Sequence, residues 1–116
     1  MDYFERRLDD KRRLTIPAEL RTEFAQGVVI THGFRNYLHM YPKQVWDEQM
    51  EPQLKGNILD EGVADLNVKF RIGKTEAELD LKQGRVSFDQ TQLEHAGITK
   101  DVIAVRAGAY WRITAK

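Results

Sequence analysis

The two ends of the chain carry the same order of elements. Near one end, Leu8-Asp9-Asp10-Lys11-Arg12-Arg13-Leu14-Thr15-Ile16-Pro17 leads into a short amphipathic stretch. Val28-Val29-Ile30-Thr31, Gly33 and Tyr37-Leu38-His39-Met40-Tyr41 follow. Near the other end, Leu79-Asp80-Leu81-Lys82-Gln83-Gly84-Arg85-Val86-Ser87-Phe88 leads into a second such stretch. Val102-Ile103-Ala104-Val105, Gly108 and Tyr110-Trp111-Arg112-Ile113 follow. Both halves read as strand, basic turn, Arg-led strand, short helix, strand, turn, strand. A repeat of this kind sets the architecture before any single element does. Each half is about 40 residues, too short to bury a stable core alone. Two such halves can bury their open sheets against each other. The expected product is a mainly β fold with short helices, a pseudo-twofold duplicated β-barrel whose closure removes exposed strand edges. The repeat divides the chain into a first half (1–51), a connecting segment (52–74) and a second half (75–116).

Local signals fill in the elements. Tyr3 to Leu8 reads as a strand, and Asp9-Asp10-Lys11-Arg12 as a polar turn, because Asp tolerates tight backbone geometry. Arg13 to Ile16 alternates as a short strand that Pro17 ends, and Pro17 also suits the first turn of a helix over Ala18 to Phe24. Pro42 opens a helix that runs to about Met50 and that Pro52 should stop. Residues 53–62 read as a loop and the first part of 63–72 as a helix. Glu76 to Leu81 alternates like a strand with Ala77, Leu79 and Leu81 on one side. Asp89 is placed to cap a helix that Gly97 ends. Trp46, Phe70 and Trp111 are expected in the core.

Charge decides which partners to consider. The 116 residues hold 18 Lys plus Arg and 18 Asp plus Glu, a formal net charge of zero. This excludes a wholly basic coat for nucleic acid and a disordered polyelectrolyte. The neutrality is not uniform. Residues 1–43 hold 8 basic and 6 acidic residues, and residues 67–116 hold 9 and 6. Between them, Lys55 stands alone against Asp47, Glu48, Glu51, Asp60, Glu61 and Asp65. The two halves of the repeat are mildly basic and the segment joining them is acidic, so a fold that brings the halves together makes a bipolar surface.

Other classes fall away on residue chemistry. Cysteine is absent, which excludes disulfides, thiolate metal sites and cysteine nucleophiles. His32, His39 and His95 lack metal-helix spacing, and no metal or other cofactor is expected. Asp9 with Asp10, and Asp47 with Glu48, are adjacent and diverge in direction, which is poor geometry for acid–base catalysis. No phosphate loop or nucleophile elbow is present, so no catalytic residues are expected and the chain reads as a non-enzyme. No apolar run approaches a membrane span, and the polar N-terminus predicts a cytoplasmic address.

The basic turns carry the functional chemistry. Arg13, at the end of its turn, presents a planar fork suited to phosphate or to guanine O6 and N7. Lys11 and Arg12 on the same turn can neutralise phosphates. Asp9, four residues before Arg13, can brace that guanidinium; the alternative is a turn-stabilising ion pair and nothing more. Lys82 and Arg85 repeat the pattern, with Arg6, Arg7 and Arg21 as secondary phosphate contacts.

Leu8 through Arg21 resembles the signature of the MraZ family, within the AbrB/SpoVT-type superfamily, which carries two Asp-x-x-x-Arg motifs, one per half. Asp9 and Arg13 fit the first. Gly33-Phe34, Tyr41-Pro42, Trp46, Lys82-Gln83-Gly84-Arg85 and His95-Ala96-Gly97-Ile98 continue the resemblance over most of the chain. Four features depart from it. Leu81 stands where the second Asp belongs, with Asp80 one residue early. Asp89 replaces a usual Pro, and Arg12 replaces a usual Gly or Asn. The family's helical C-terminal extension is not among these residues. The resemblance implies an AbrB/MraZ-like double-split barrel acting as a DNA-binding transcriptional regulator. It further implies homo-oligomeric, octamer-like rings at the nucleoid that bind repeated promoter elements of division and cell-wall genes in double-stranded DNA. The rival reading is a non-enzymatic interaction barrel or an antitoxin-like module of the same superfamily.

Overall fold

A computed structural model describes the chain from Met1 to Lys116. Eight strands form: β1 (Tyr3–Arg7), β2 (Arg13–Thr15), β3 (Val28–His32), β4 (Leu38–Pro42), β5 (Thr75–Ala77), β6 (Arg85–Ser87), β7 (Asp101–Ala107) and β8 (Tyr110–Ala115). Six of them make one antiparallel sheet in the order β1-β7-β8-β4-β3-β5, and β2 pairs with β6 as a separate ribbon. The sheet is not closed. Strands β1 and β5 stay at its edges, which corrects the expected closed barrel. The ribbon supplies the missing cover instead, packing its apolar side on one face of the sheet.

The repeat is visible in the pairing. Exchanging β1 with β5, β7 with β3 and β8 with β4 turns the strand order of the sheet into itself. The same exchange maps β2 onto β6. The shift that carries Arg13 onto Arg85 carries Leu14 onto Val86, and these two residues pair directly across the ribbon. The pseudo-dyad therefore passes between Leu14 and Val86, and it also crosses the β4–β8 pair. The backbone bonds that end the ribbon obey it as well: Ile16 N–H donates to the Gly84 carbonyl and Phe88 N–H to that of Arg12.

One core lies at this dyad. It joins Leu14, Ile16, Val86 and Phe88 to Val28, Ile30, Met40, Ala104, Trp111 and Ile113. The alternate residues of β3 and β4 face the other way. Val29 and Tyr41 meet Trp46, Leu54 and Phe70 in a second, smaller cluster. Those three side chains come from the chain between β4 and β5: α1 (Lys43–Val45), a π-helical stretch (Trp46–Met50), α2 (Glu51–Leu54) and α3 (Glu61–Arg71). Apolar cover on both faces explains why β3 and β4 read as continuous hydrophobic runs, whereas β7 is half-buried and alternates. Trp46, Phe70 and Trp111 are 1%, 2% and 0% exposed, as core residues.

Several local expectations change. Pro52 does not stop its helix, which continues to Leu54. The preceding stretch is π-wound, and the N–H of Glu51 bonds the Trp46 carbonyl, so Pro52 sits in a new first turn where its missing donor costs little. Ala18–Phe24 forms as a 3-10 helix. Strand β5 ends at Ala77, because Asp80 starts a turn by accepting from the Lys82 amide, and Leu81 is left 50% exposed. Asp89 caps α4 (Gln90–Ala96) through a reciprocal capping box with Gln92. No helix is long and apolar enough to cross a membrane.

Candidate nucleic-acid interface

The ribbon has an inner and an outer face because strand side chains alternate. Leu14 and Val86 point inward and are 0% and 2% exposed. Arg13, Thr15, Arg85 and Ser87 take the outer face. The register sets Arg13 opposite Ser87 and Thr15 opposite Arg85, so each cross-strand pair joins one guanidinium to one hydroxyl. The dyad relates the two pairs. Because the strands run antiparallel, the two basic turns stand at opposite ends of the ribbon, separated by about 10 Å of strand.

The first turn is tied by one carboxylate. Oδ1 of Asp9 accepts from the amides of Lys11 and Arg13, each at 2.9 Å, and Oδ2 accepts from Nε of Arg13 at 2.7 Å. Partial desolvation pushes the Asp9 carboxyl up, but the Arg13 amide, its guanidinium and the Lys11 amide together outweigh this and hold it below the usual carboxylate range. The bond to Nε fixes the direction of the Arg13 fork. Arg12 stands at φ 61°. This is a left-handed conformation that glycine and asparagine adopt more readily, and it throws the Arg12 side chain outward to meet Oε1 of Gln90 at 2.9 Å.

The second turn is built differently. Asp80 accepts from the Lys82 amide at 2.9 Å but does not reach Arg85. The exposed Leu81 occupies the place of Asp9, as the spacing foretold. Gly84 at φ 64° matches Arg12 under the repeat. Arg85 has neither an ion pair nor a side-chain hydrogen bond, and Lys11 and Lys82 likewise hold no carboxylate.

The remaining candidates divide. Arg7 lines an open polar cleft of about 400 Å³ beside the first turn with Asp9, Asp10, Arg12, Thr99 and Lys100. Arg6 lies on edge strand β1, where Nη1 donates to the Glu5 carbonyl at 2.8 Å and the guanidinium sits over the Phe4 ring. Arg21 directs its guanidinium at backbone carbonyls: Nε donates to Ile16 at 2.9 Å and Nη1 to Lys82 at 2.8 Å. Three residues were missed from sequence. Thr15 and Ser87 become visible only once the register is known, although both sit at alternate positions from an arginine. Lys100 is brought to the first turn by the bond from Leu8 N–H to its carbonyl, and no local spacing signals this.

The charge segregation acquires a direction. The acidic segment packs on the face of the sheet that carries Val29 and Tyr41, away from the face that holds the ribbon. On that face Arg71 binds both carboxylate oxygens of Glu51 at 2.9 Å, and Trp46 donates to the same carboxylate at 3.0 Å.

These features define a class: a duplicated β protein whose dyad presents two arginines on the outer face of one ribbon. A family model described as "MraZ protein, putative antitoxin-like" matches residues 1–61. A protein of Moorella thermoacetica named transcriptional regulator MraZ is 40% identical over 106 residues, covering 90% of this chain and 73% of that one. Proteins of the same name from Kineococcus radiotolerans and Oenococcus oeni are 35% and 34% identical. They cover 89% and 100% of this chain, and 71% and 80% of their own lengths. The chain belongs to the MraZ family.

Proposed function

We propose that this protein is a sequence-specific transcriptional regulator that reads double-stranded DNA with the outer face of the β2–β6 ribbon. The observation that carries the reading is the dyad itself, which sets Arg13 and Arg85 diagonally across the outer face of one ribbon with Leu14 and Val86 packed beneath. The major groove of B-DNA admits a two-stranded β-ribbon. The Arg13 fork, directed by Asp9, and the unpaired Arg85 fork suit guanine edges, Thr15 and Ser87 supply hydroxyls, and Lys11, Arg12 and Lys82 at the two ends suit the flanking phosphates. Arg6 and Arg7 extend the phosphate track. The names of the relatives support regulation of transcription.

Phosphate affinity grows with the number of neutralised charges, and one protomer offers only a few. A homo-oligomeric, octamer-like ring on repeated promoter elements of division and cell-wall genes supplies the rest through effective concentration. The place of action is then the cytoplasmic nucleoid. Fluorescence anisotropy with duplexes carrying one or several direct copies of such an element tests this. Tight binding is expected only to the multi-copy duplex, with a steep salt dependence. Equal affinity for one copy and for several removes the ring from the account.

The family description favours one second reading, an antitoxin-like partner of another protein. Charge reversal at Lys11 and Arg13 discriminates, since it abolishes DNA binding in the first reading and leaves it unchanged in the second.

A further inference from the structure

The two basic turns have the same task but not the same support. In the first, the Asp9 carboxylate holds the Lys11 amide, the Arg13 amide and the Arg13 guanidinium at once. In the second, Leu81 replaces that carboxylate, and Asp80 reaches only the Lys82 amide. Backbone bonds hold Gly84, from its own N–H to the Asp80 carbonyl and from the Ile16 N–H to its carbonyl, but among side chains Asp80 alone ties this turn from within. The first half fills the gap. Arg21, on the 3-10 helix after β2, lies across the second turn. Its Nε donates to the Ile16 carbonyl at 2.9 Å, and its Nη1 donates to the carbonyl of Lys82 at 2.8 Å and reaches that of Leu81 at 3.5 Å.

The fit extends to Gly84. Its φ of 64° is a conformation that side-chain-bearing residues adopt at a cost, and a Cβ there would overlap the Arg21 guanidinium. Arg12, the repeat equivalent of Gly84, carries its side chain in the same conformation and runs it out to Gln90, with no guanidinium folded over the first turn as Arg21 is over the second. The dyad partner of Arg21 is Leu93, which is 4% exposed in the core and offers no donors. The arginine-bearing ends of the ribbon are therefore braced by chemically opposite groups: a carboxylate from within the first turn, and a guanidinium from outside the second in addition to Asp80.

We propose that Arg21 is a positioning residue, a strut from the first half that fixes the second basic turn so that Lys82 and Arg85 face the same surface as Arg13. It does not itself contact phosphate. The planar fork is needed because the two main acceptors belong to different strand ends, with Nε on one and Nη1 on the other. The strut concerns the protein alone, and its effect on DNA rests on the function proposed above.

Two measurements keep those claims apart. The first is amide hydrogen exchange of the free protein. Arg21→Ala and Arg21→Lys are both expected to raise exchange at Lys82 and Gly84 by at least tenfold, with the Lys11 and Arg13 amides unchanged. Lysine keeps the charge but has one terminal nitrogen in place of the fork. In thermal unfolding, Gly84→Ala is expected to lower the melting point less in the Arg21→Ala background than in the wild type, because the overlap has gone. Unchanged exchange at 82–84 in both variants, or additive melting shifts, would overturn the strut.

The second is anisotropy with duplex DNA across a salt series. A strut predicts that Arg21→Lys weakens binding as much as Arg21→Ala, while the slope of log K against log salt stays that of the wild type. A phosphate contact predicts rescue by lysine and a slope reduced by about one in the alanine variant, and that result would overturn the proposal. A wild type that binds no duplex at all defeats the proposed function, and the exchange experiment still decides the strut.

Discussion

At the residue scale, Arg12 and Asp9 pull the first turn in opposite directions, one straining the backbone and the other tying it. Arg12 occupies a left-handed conformation that costs a residue with a side chain about 1 kcal/mol. Arg12→Gly is therefore expected to stabilise the fold by about 0.5–1 kcal/mol in urea unfolding, while reducing the salt slope of DNA binding by about one. Asp9 gives a sharper contrast. Net charge alone predicts that Asp9→Ala, which removes an anion from the basic surface, binds DNA more tightly. The brace predicts weaker binding, because the Arg13 fork loses its direction along with the bond to Nε. Anisotropy at fixed salt separates the two. The first motif was legible in the sequence because four residues of spacing suffice to bring a carboxylate onto the guanidinium across one turn. The role of Arg21 was not, since its acceptors are main-chain carbonyls, which carry no sequence signature.

At the element scale, what could be foreseen depended on how local the cause was. The caps of α4 and strands β2 and β6 follow from nearby residues, and they were foreseen, whereas the strand expected over Glu76 to Leu81 ends at Ala77. The capping box predicts that Asp89→Ala costs about 1 kcal/mol in thermal or chemical unfolding. The open sheet was not legible, because whether edges β1 and β5 meet depends on the spacing between the halves. Nor was the passage of the helix through Pro52, because a π-wound stretch depends on how Trp46 and Leu54 reach the same cluster. Strand β4 holds a titratable group in a dry place. His39 is 1% exposed; its Nδ1 shares a hydrogen bond of 2.7 Å with the Tyr41 hydroxyl, and its Nε2 has no partner. Burial, with Arg112 adding to it, lowers its pKa to about 4. The unfolded chain takes up this proton first as pH falls, near 6.5. His39 thus leaves stability intact above pH 6.5 and costs on the order of 3 kcal/mol between there and pH 4. His32, also pushed down by burial and by His95, adds to the same descent. The Glu51 carboxyl, lowered to about 2 chiefly by its bonds from Arg71, acts in a separate window below 4.5. Urea midpoints measured from pH 7.5 to 4 should fall in the wild type and lose the His39 share of that fall in His39→Phe.

At the scale of the whole molecule, a formally neutral chain becomes a polar one. The pseudo-dyad gathers two mildly basic halves at one ribbon, while the acidic connection packs against the opposite face of the sheet. The sequence showed that the charges were segregated, but only the pairing of β2 with β6 shows that they share a surface. The dyad relates the positions of the two arginines, and the proposal that they act as partners in one reading head is the claim on which the account stands. It is tested most directly by titrating one multi-copy duplex with the wild type, Arg13→Ala, Arg85→Ala and the double variant, each first checked for an unchanged melting point. A shared reading head predicts that each single variant loses discrimination between the target and a scrambled duplex by a comparable factor, about tenfold for one bidentate contact, and that the double variant retains none. Discrimination that survives the loss of both arginines would contradict it.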